Sequence, residues 1–398
     1  MSKKIFITNN IIIDIIKDLV VVLFEGENFL HIDKDNIEDI EKNIEKKGDD
    51  KDSIDQSKLK LVRYILYLIF FVIISSLTLF YIYHNFEKPS NILVFTRFPI
   101  SFVIMLFFLL LIYFTLDGLR LYYVIKTLNC NIKFRYIFKL VFINLFISNI
   151  TPFATGGGFI QIYYLTKKDI SLGNATAATT IRTILATVTI FVATPIIIIR
   201  EKSFETILPQ TSLFIYMSIF AVLYMVFFYI VISRNKLLKV LVYRVLSFIK
   251  NRQLISKKRF NNITRYLFEE INIFGESLSY FFSGDPKYIL GSIICTVLFL
   301  ISELSFSVLL IKGLGYDVSA VSILLMQVVV VFFMYFAPTP GATGVAEGGY
   351  SLVFSHFVKE SDMFPLIFAW RLFTKYIGIA IGMIIFFISF IREGRISE

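Results

Sequence analysis

Beyond residue 63 the chain reads as long apolar stretches separated by short polar connections. Stretches 64–84, 98–122, 175–199, 212–232, 288–311 and 365–391 are uncharged or nearly so over roughly 20 residues, the length an α-helix needs to cross about 30 Å of hydrocarbon. Each predicts a membrane span. Two more apolar regions, 136–165 and 320–357, are interrupted at Thr151-Pro-Phe-Ala-Thr-Gly-Gly-Gly158 and Ala337-Pro-Thr-Pro-Gly-Ala-Thr-Gly344. Most of the arms around those breaks are too short to span. They predict broken helices or re-entrant hairpins, whose irregular backbone must be enclosed by protein or line a polar cavity.

Residues 1–60 depart from this pattern. Their first apolar run, 11–24, is interrupted by Asp14, Lys17 and Asp18 with no small-residue cleavage site after it, so no signal peptide is expected. A strand at 28–32, a helix at 35–47 capped by Asp35 and a polar linker at 48–57 predict a small cytoplasmic appendage. The membrane domain is expected over 61–398. Within it the connection 233–287 begins, at 237–249, with apolar residues at helical spacing. It predicts an amphipathic cytoplasmic linker whose Lys and Arg face anionic headgroups.

Composition excludes the alternatives. Of 398 residues, 56% are hydrophobic and 18% charged, against about 25% charged in an ordinary soluble domain. A soluble enzyme, a disordered chain and a secreted disulfide scaffold are ruled out. The formal net charge is +10, yet residues 1–63 carry 11 basic and 14 acidic side chains, so the basic excess belongs to the membrane part. If both broken regions return to their own side, inner loops after residue 63 hold 20 Lys or Arg and outer loops six. That bias predicts cytoplasmic N- and C-termini. No nucleic-acid recognition motif accompanies the charge, and no nucleic-acid partner is expected. Cys130 and Cys295 lack ligand spacing, and His31, His84 and His356 are scattered, so no metal site is expected. Walker A, Rossmann and nucleophile-elbow patterns are absent, so no cofactor is expected and no pattern for covalent chemistry stands out, while a membrane transferase using isolated Arg and Glu residues stays open.

The two breaks echo each other. Thr151-Pro-Phe-Ala-Thr-Gly156 and Thr339-Pro-Gly-Ala-Thr-Gly344 agree at five of six positions, with an offset of 188. Lys126 and Lys312 flank them at an offset of 186, and Arg182 and Arg371 follow them by 31 and 32 residues. Each unit is span, broken hairpin, span with an internal arginine, over about 98–199 and 288–391. The first starts outside and the second inside. The predicted fold is an all-α polytopic membrane protein with two inverted-topology repeats and broken or re-entrant helical hairpins, which places a substrate site where the broken helices meet.

Ionisable groups inside a bilayer are costly and mark function or pairing. Arg182 and Arg371 offer rigid donor forks suited to a lipid phosphate, and Lys375, one turn beyond Arg371, extends the positive path. Each arginine can equally pin the bundle by pairing with a carboxylate or a hairpin carbonyl. Glu347 is a candidate for an amine, a coupling cation or an internal salt bridge. Thr151, Pro152, Thr155, Gly156, Gly157 and Gly158, with Thr339, Pro340, Gly341, Thr343 and Gly344, are candidate gates with exposed amides and hydroxyls, or purely structural turns. Gln161, Glu303 and Asp117 are secondary candidates, and Gly378 with Gly382 reads as a helix contact.

These motifs carry a family likeness. Residues 151–165, 338–348 and Trp370-Arg371 with Lys375-Tyr376 and Gly378 resemble the lysylphosphatidylglycerol synthase transmembrane-region family over roughly 60–392. The resemblance implies a polar-lipid flippase fold in the bacterial inner membrane, with the glycine-rich motifs at Thr151–Gly158 and Pro338–Glu347 and the arginine motif at Arg371. No soluble synthase domain follows Glu398, so a stand-alone flippase-like member is expected rather than a lipid-lysylating enzyme. The expected function is translocation of an anionic or aminoacylated lipid by alternating access. The alternatives are an ion-coupled carrier of a small anion and a non-transporting partner of an envelope-lipid biosynthetic enzyme. Candidate partners are membrane lipids, such an enzyme, and a second copy in a homodimer.

Overall fold

The computed structural model describes residues 98–200 and 257–396 continuously, together with 69, 73, 219, 222–224, 226, 238, 239 and 242–247. The predicted N-terminal appendage, nearly all of spans 64–84 and 212–232, and part of the amphipathic segment 237–249 lie outside the described residues. The chain forms two compact units, 1–66 with 246–266, and 67–245 with 267–398. The described residues of the first, 246–247 and 257–266, are helical. The site below lies wholly in the second.

The described elements are all helical. In chain order they are α1 (Ile100–Thr127), α2 (Phe134–Ile150), α3 (Thr155–Thr166), α4 (Leu172–Arg200), α5 (Lys257–Ser283), α6 (Pro286–Gly313), α7 (Ala320–Met334), α8 (Val345–Phe354), α9 (Glu360–Arg371) and α10 (Ile377–Ile396). A π-helical turn, Leu372–Tyr376, joins α9 to α10. Local signals explain several boundaries. Pro286 opens α6 at a position where its missing N–H costs nothing, and the Asp285 carboxylate caps that end by accepting from the Lys287 amide at 2.9 Å. Four stretches, Ile100–Thr127, Leu172–Ile197, Pro286–Gly313 and Glu360–Ser389, are long and apolar enough to cross a membrane. They coincide with four of the six predicted spans. The protein is an all-α polytopic membrane protein.

Both predicted breaks are real. α2 and α3 have 17 and 12 residues, α7 and α8 have 15 and 10, so each arm is about 15–26 Å long. All four fall short of a bilayer core. Between the arms the chain does the same thing twice. After Pro152, Phe153 and Ala154 have φ of 52° and 55°; after Pro340, Gly341 and Ala342 have φ of 60° and 56°. Two successive left-handed residues interrupt each helix. The copies then diverge: Thr155 is already helical, whereas Gly344 takes φ 91° and delays α8 to Val345. The two breaks pack against each other.

Packing is closest between α1 and α6, and between α2 and α10. Tyr113 of α1 stacks on Phe299 of α6 with centroids 5.0 Å apart and meets Phe306 edge-on at 5.8 Å. A Cβ on Gly382 would stand 2.1 Å from the Phe142 carbonyl oxygen, so α10 approaches α2 at backbone distance. Small residues serve this purpose in lipid, where helices associate through van der Waals contact rather than escape from water.

Candidate functional site

Among the described residues, three groups of enclosed charge stand out, two buried and one half-buried. In the first, Asp117 of α1 is the hub. Its Oδ1 accepts from Arg182 Nη2 of α4 at 2.5 Å and from Arg120 Nε at 2.7 Å, one turn further along α1. Arg182 also donates from Nη1 to Gln161 Oε1 of α3, and Gln161 Nε2 donates to Thr179 Oγ1 at 3.2 Å. α1, α3 and α4 are thus tied through one guanidinium. The Arg120 guanidinium carbon lies 3.9 Å from the Phe299 ring centre, a cation–π contact from α1 to α6.

The second group clamps the second break. Arg371 Nε donates to Glu347 Oε1 at 2.6 Å and Nη2 to the Gly341 carbonyl at 3.0 Å. Glu347 Oε2 accepts the Gly344 amide at 2.6 Å, capping α8. One ion pair therefore holds the backbone at both Gly341 and Gly344 of the break. The threonines of the two breaks also act alike: Thr155 Oγ1 donates to the Pro152 carbonyl at 3.0 Å, and Thr343 Oγ1 to that of Pro340 at 2.8 Å.

The third group is Lys375 of the π turn, whose Nζ donates to Glu303 Oε1 of α6 at 3.1 Å. Asp117 and Glu303 are 186 residues apart, the interval that separates Lys126 from Lys312. Asp117 on α1 pairs with Arg182 of α4, and Glu303 on α6 pairs with Lys375 of the π turn. Arg371 and Lys375, one turn apart, go to different partner helices.

The arginines therefore pair internally, yet neither is saturated. Arg182 Nε and Arg371 Nη1 are buried and have no hydrogen-bond partner. Buried guanidinium N–H groups without acceptors are costly and rare. Each oxygen of Glu347 already accepts a hydrogen bond, one from Gly344 and one from Arg371. The glycines divide in use. A Cβ on Gly157 would stand 1.7 Å from Ser148 Oγ, making Gly157 the contact that lets α3 lie on α2, whereas Gly348 has open space around it.

Sequence reading missed Arg120 as a site residue and counted it with the loop cations. It is buried inside α1 instead. Its spacing of three from Asp117 was the available signal, since such residues share a helix face. Tyr113 and Thr179, which border the charged groups, carried no such signal.

Residues 65–382 match the family described as lysylphosphatidylglycerol synthase TM region. Two membrane proteins named UPF0104 are also similar. The one from Archaeoglobus fulgidus is 25% identical over 289 residues, 71% of this chain and 84% of that protein. The one from Methanocaldococcus jannaschii is 26% identical over 308 residues, 75% of this chain and 87% of that protein.

Proposed function

We propose a function from one premise: the chain belongs to the lysylphosphatidylglycerol synthase transmembrane-region family. It moves a lipid with an anionic headgroup between the leaflets of a cytoplasmic membrane. The two halves, 98–199 and 288–391, act as inverted copies whose breaks are re-entrant hairpins, and the headgroup passes between them by alternating access. Because the similar proteins come from archaea, the reading is not tied to a bacterial inner membrane.

The observation that carries this reading is the unspent donor capacity of the buried arginines. Four buried or half-buried cations, Arg120, Arg182, Arg371 and Lys375, face three carboxylates, Asp117, Glu303 and Glu347, leaving one positive charge. Arg182 Nε and Arg371 Nη1, the orphaned guanidinium nitrogens, have donor capacity for an anion. A phosphodiester supplies one negative charge and several acceptor oxygens while its tails remain in lipid. In this scheme Arg182, Arg371 and Lys375 recognise the phosphate, Glu347 holds Arg371 on the second break, and Gln161 holds Arg182 on the first hairpin.

The test is translocation of fluorescently labelled phosphatidylglycerol in proteoliposomes, read by quenching of the outer leaflet. Arg182→Ala and Arg371→Ala should each slow it by about tenfold or more, the effect of losing one or two charge-assisted hydrogen bonds, with insertion verified separately. Wild-type rates from both variants would sink the assignment.

A further inference from the structure

We propose that the Glu303–Lys375 pair couples headgroup translocation to a proton, one proton travelling with each anionic headgroup in the same direction. The inference rests on the lipid reading above and adds its energy source. The three carboxylates in the charged core are held very differently. Asp117 is locked by two guanidiniums, which stay charged under all ordinary conditions. Glu347 is locked by a guanidinium and a backbone amide. Among the described residues Glu303 has one polar partner, at 3.1 Å against 2.5–2.7 Å for the arginine–carboxylate contacts, and that partner is an ammonium, a compact charge on a flexible stem. Its side chain and that of Lys375 are 14% and 16% exposed, whereas those of Glu347 and Arg371 are 0% and 2% exposed.

Other groups around Glu303 do not replace the lysine. Tyr113 on α1 lies within electrostatic reach of Glu303 and of the Asp117 group, and Tyr335, just after α7, is within electrostatic reach of Glu303 too. Arg120 on α1 and Arg182 on α4 are committed to Asp117, and Arg371 at the end of α9 is committed to Glu347. Among the described residues, Lys375 alone pairs with Glu303. It stands in a π turn directly after Arg371, so the pair is joined through the backbone to the clamp on the second break.

When a lipid phosphate draws Lys375 away, Glu303 is left as an unpaired carboxylate in a largely enclosed site, which is unfavourable. It takes one proton from the side open at that moment. After reorientation the phosphate leaves, Lys375 returns to Glu303, and the proton departs to the new side. One O–H bond forms and the same bond breaks. The headgroup carries one negative charge and the proton one positive charge, so the cycle is electroneutral, and an acidic outside drives headgroups inward.

Proteoliposomes of the full chain, with a trace of labelled phosphatidylglycerol and an entrapped pH dye, read both fluxes. A gradient of one pH unit should enrich the label about tenfold in the leaflet facing the alkaline side, with a dye signal that requires the lipid. In Glu303→Gln that ratio should collapse to about one and the dye signal should vanish, while Glu303→Asp retains both. Lipid movement by the wild type that ignores the gradient would overturn proton coupling and leave the lipid reading standing. No lipid movement by the wild type under any gradient would overturn both. The wild-type measurement decides without relying on the folding of any variant.

Discussion

Arg371 and Glu347 form an ion pair closed off from solvent, with Nε 2.6 Å from Oε1 and side chains 2% and 0% exposed. They sit 24 residues apart, one at the end of α9 and one in the first turn of α8, and together they bind Gly341 and Gly344 across the second break. Removing one member leaves the other charged and buried. Glu347→Ala is expected to cost about 3–5 kcal/mol, read as a lowered unfolding midpoint in detergent. Replacing both members with apolar residues of similar size should recover much of that loss while translocation stays abolished. A double-mutant cycle with no coupling between them would contradict the clamp.

The glycines of α3 and α8 should respond in opposite directions. At Gly157 an added methyl meets Ser148 and Asn144, so Gly157→Ala is expected to destabilise by about 1–3 kcal/mol, with Ser148→Gly restoring part of it. At Gly348 the same methyl meets nothing within 4 Å, and Gly348→Ala should stabilise α8 by about 0.5–1 kcal/mol. Parallel thermal melts of the two variants measure the contrast.

Helix α4, which carries Arg182, is capped from outside itself. Glu270 Oε2 of α5 accepts the Gly173 amide at 2.6 Å, and Ser277 Oγ donates to Asn174 Oδ1 at 2.5 Å. Glu270→Ala should cost about 0.5–2 kcal/mol, as loss of an N-cap does. Faster hydrogen exchange at the amides of the first turn of α4 would locate the loss; unchanged exchange there would argue against the cap.

Tyr316, in the loop between α6 and α7, has a pH signature. Its hydroxyl donates to Asp362 at 2.7 Å and accepts the Lys359 amide at 3.0 Å. Burial, followed by the hydrogen bond to Asp362, pushes the phenol up from about 10 to about 12. The folded protein thus keeps a proton that the unfolded chain gives up. The stabilisation is fully present below about pH 10 and is lost as pH rises towards 12. Tyr316→Phe should lower the melting temperature near neutral pH and flatten its fall between pH 10 and 12.

Much of the helix layout was legible in the chain. Stretches such as 98–122 and 288–311 are apolar apart from Asp117, Arg120 and Glu303, and Pro with Gly at 151–158 and 337–344 breaks the helix there. The echo between Thr151–Gly156 and Thr339–Gly344 foretold a shared backbone, down to two left-handed residues after each proline. Partners of the charges were not legible. Asp117 meets Arg182 across 65 residues and Glu303 meets Lys375 across 72. Spacing along a chain says which residues share a helix face, but not which faces meet.

By itself, the sequence determined the solvent and the segments. An apolar composition with sparse charge requires lipid around the helices, and local breakers set where those helices end. The tertiary structure decided what the buried charges do. The approach of α10 to α2, of α3 to α2 and of α6 to α1 brings each cation to one acid and not another. It leaves Arg182 and Arg371 with spare donors and Glu303 with a single movable partner. Those outcomes depend on distances of a few ångströms between residues remote in sequence, because an ion pair in a low-dielectric interior forms only where packing places both groups in contact.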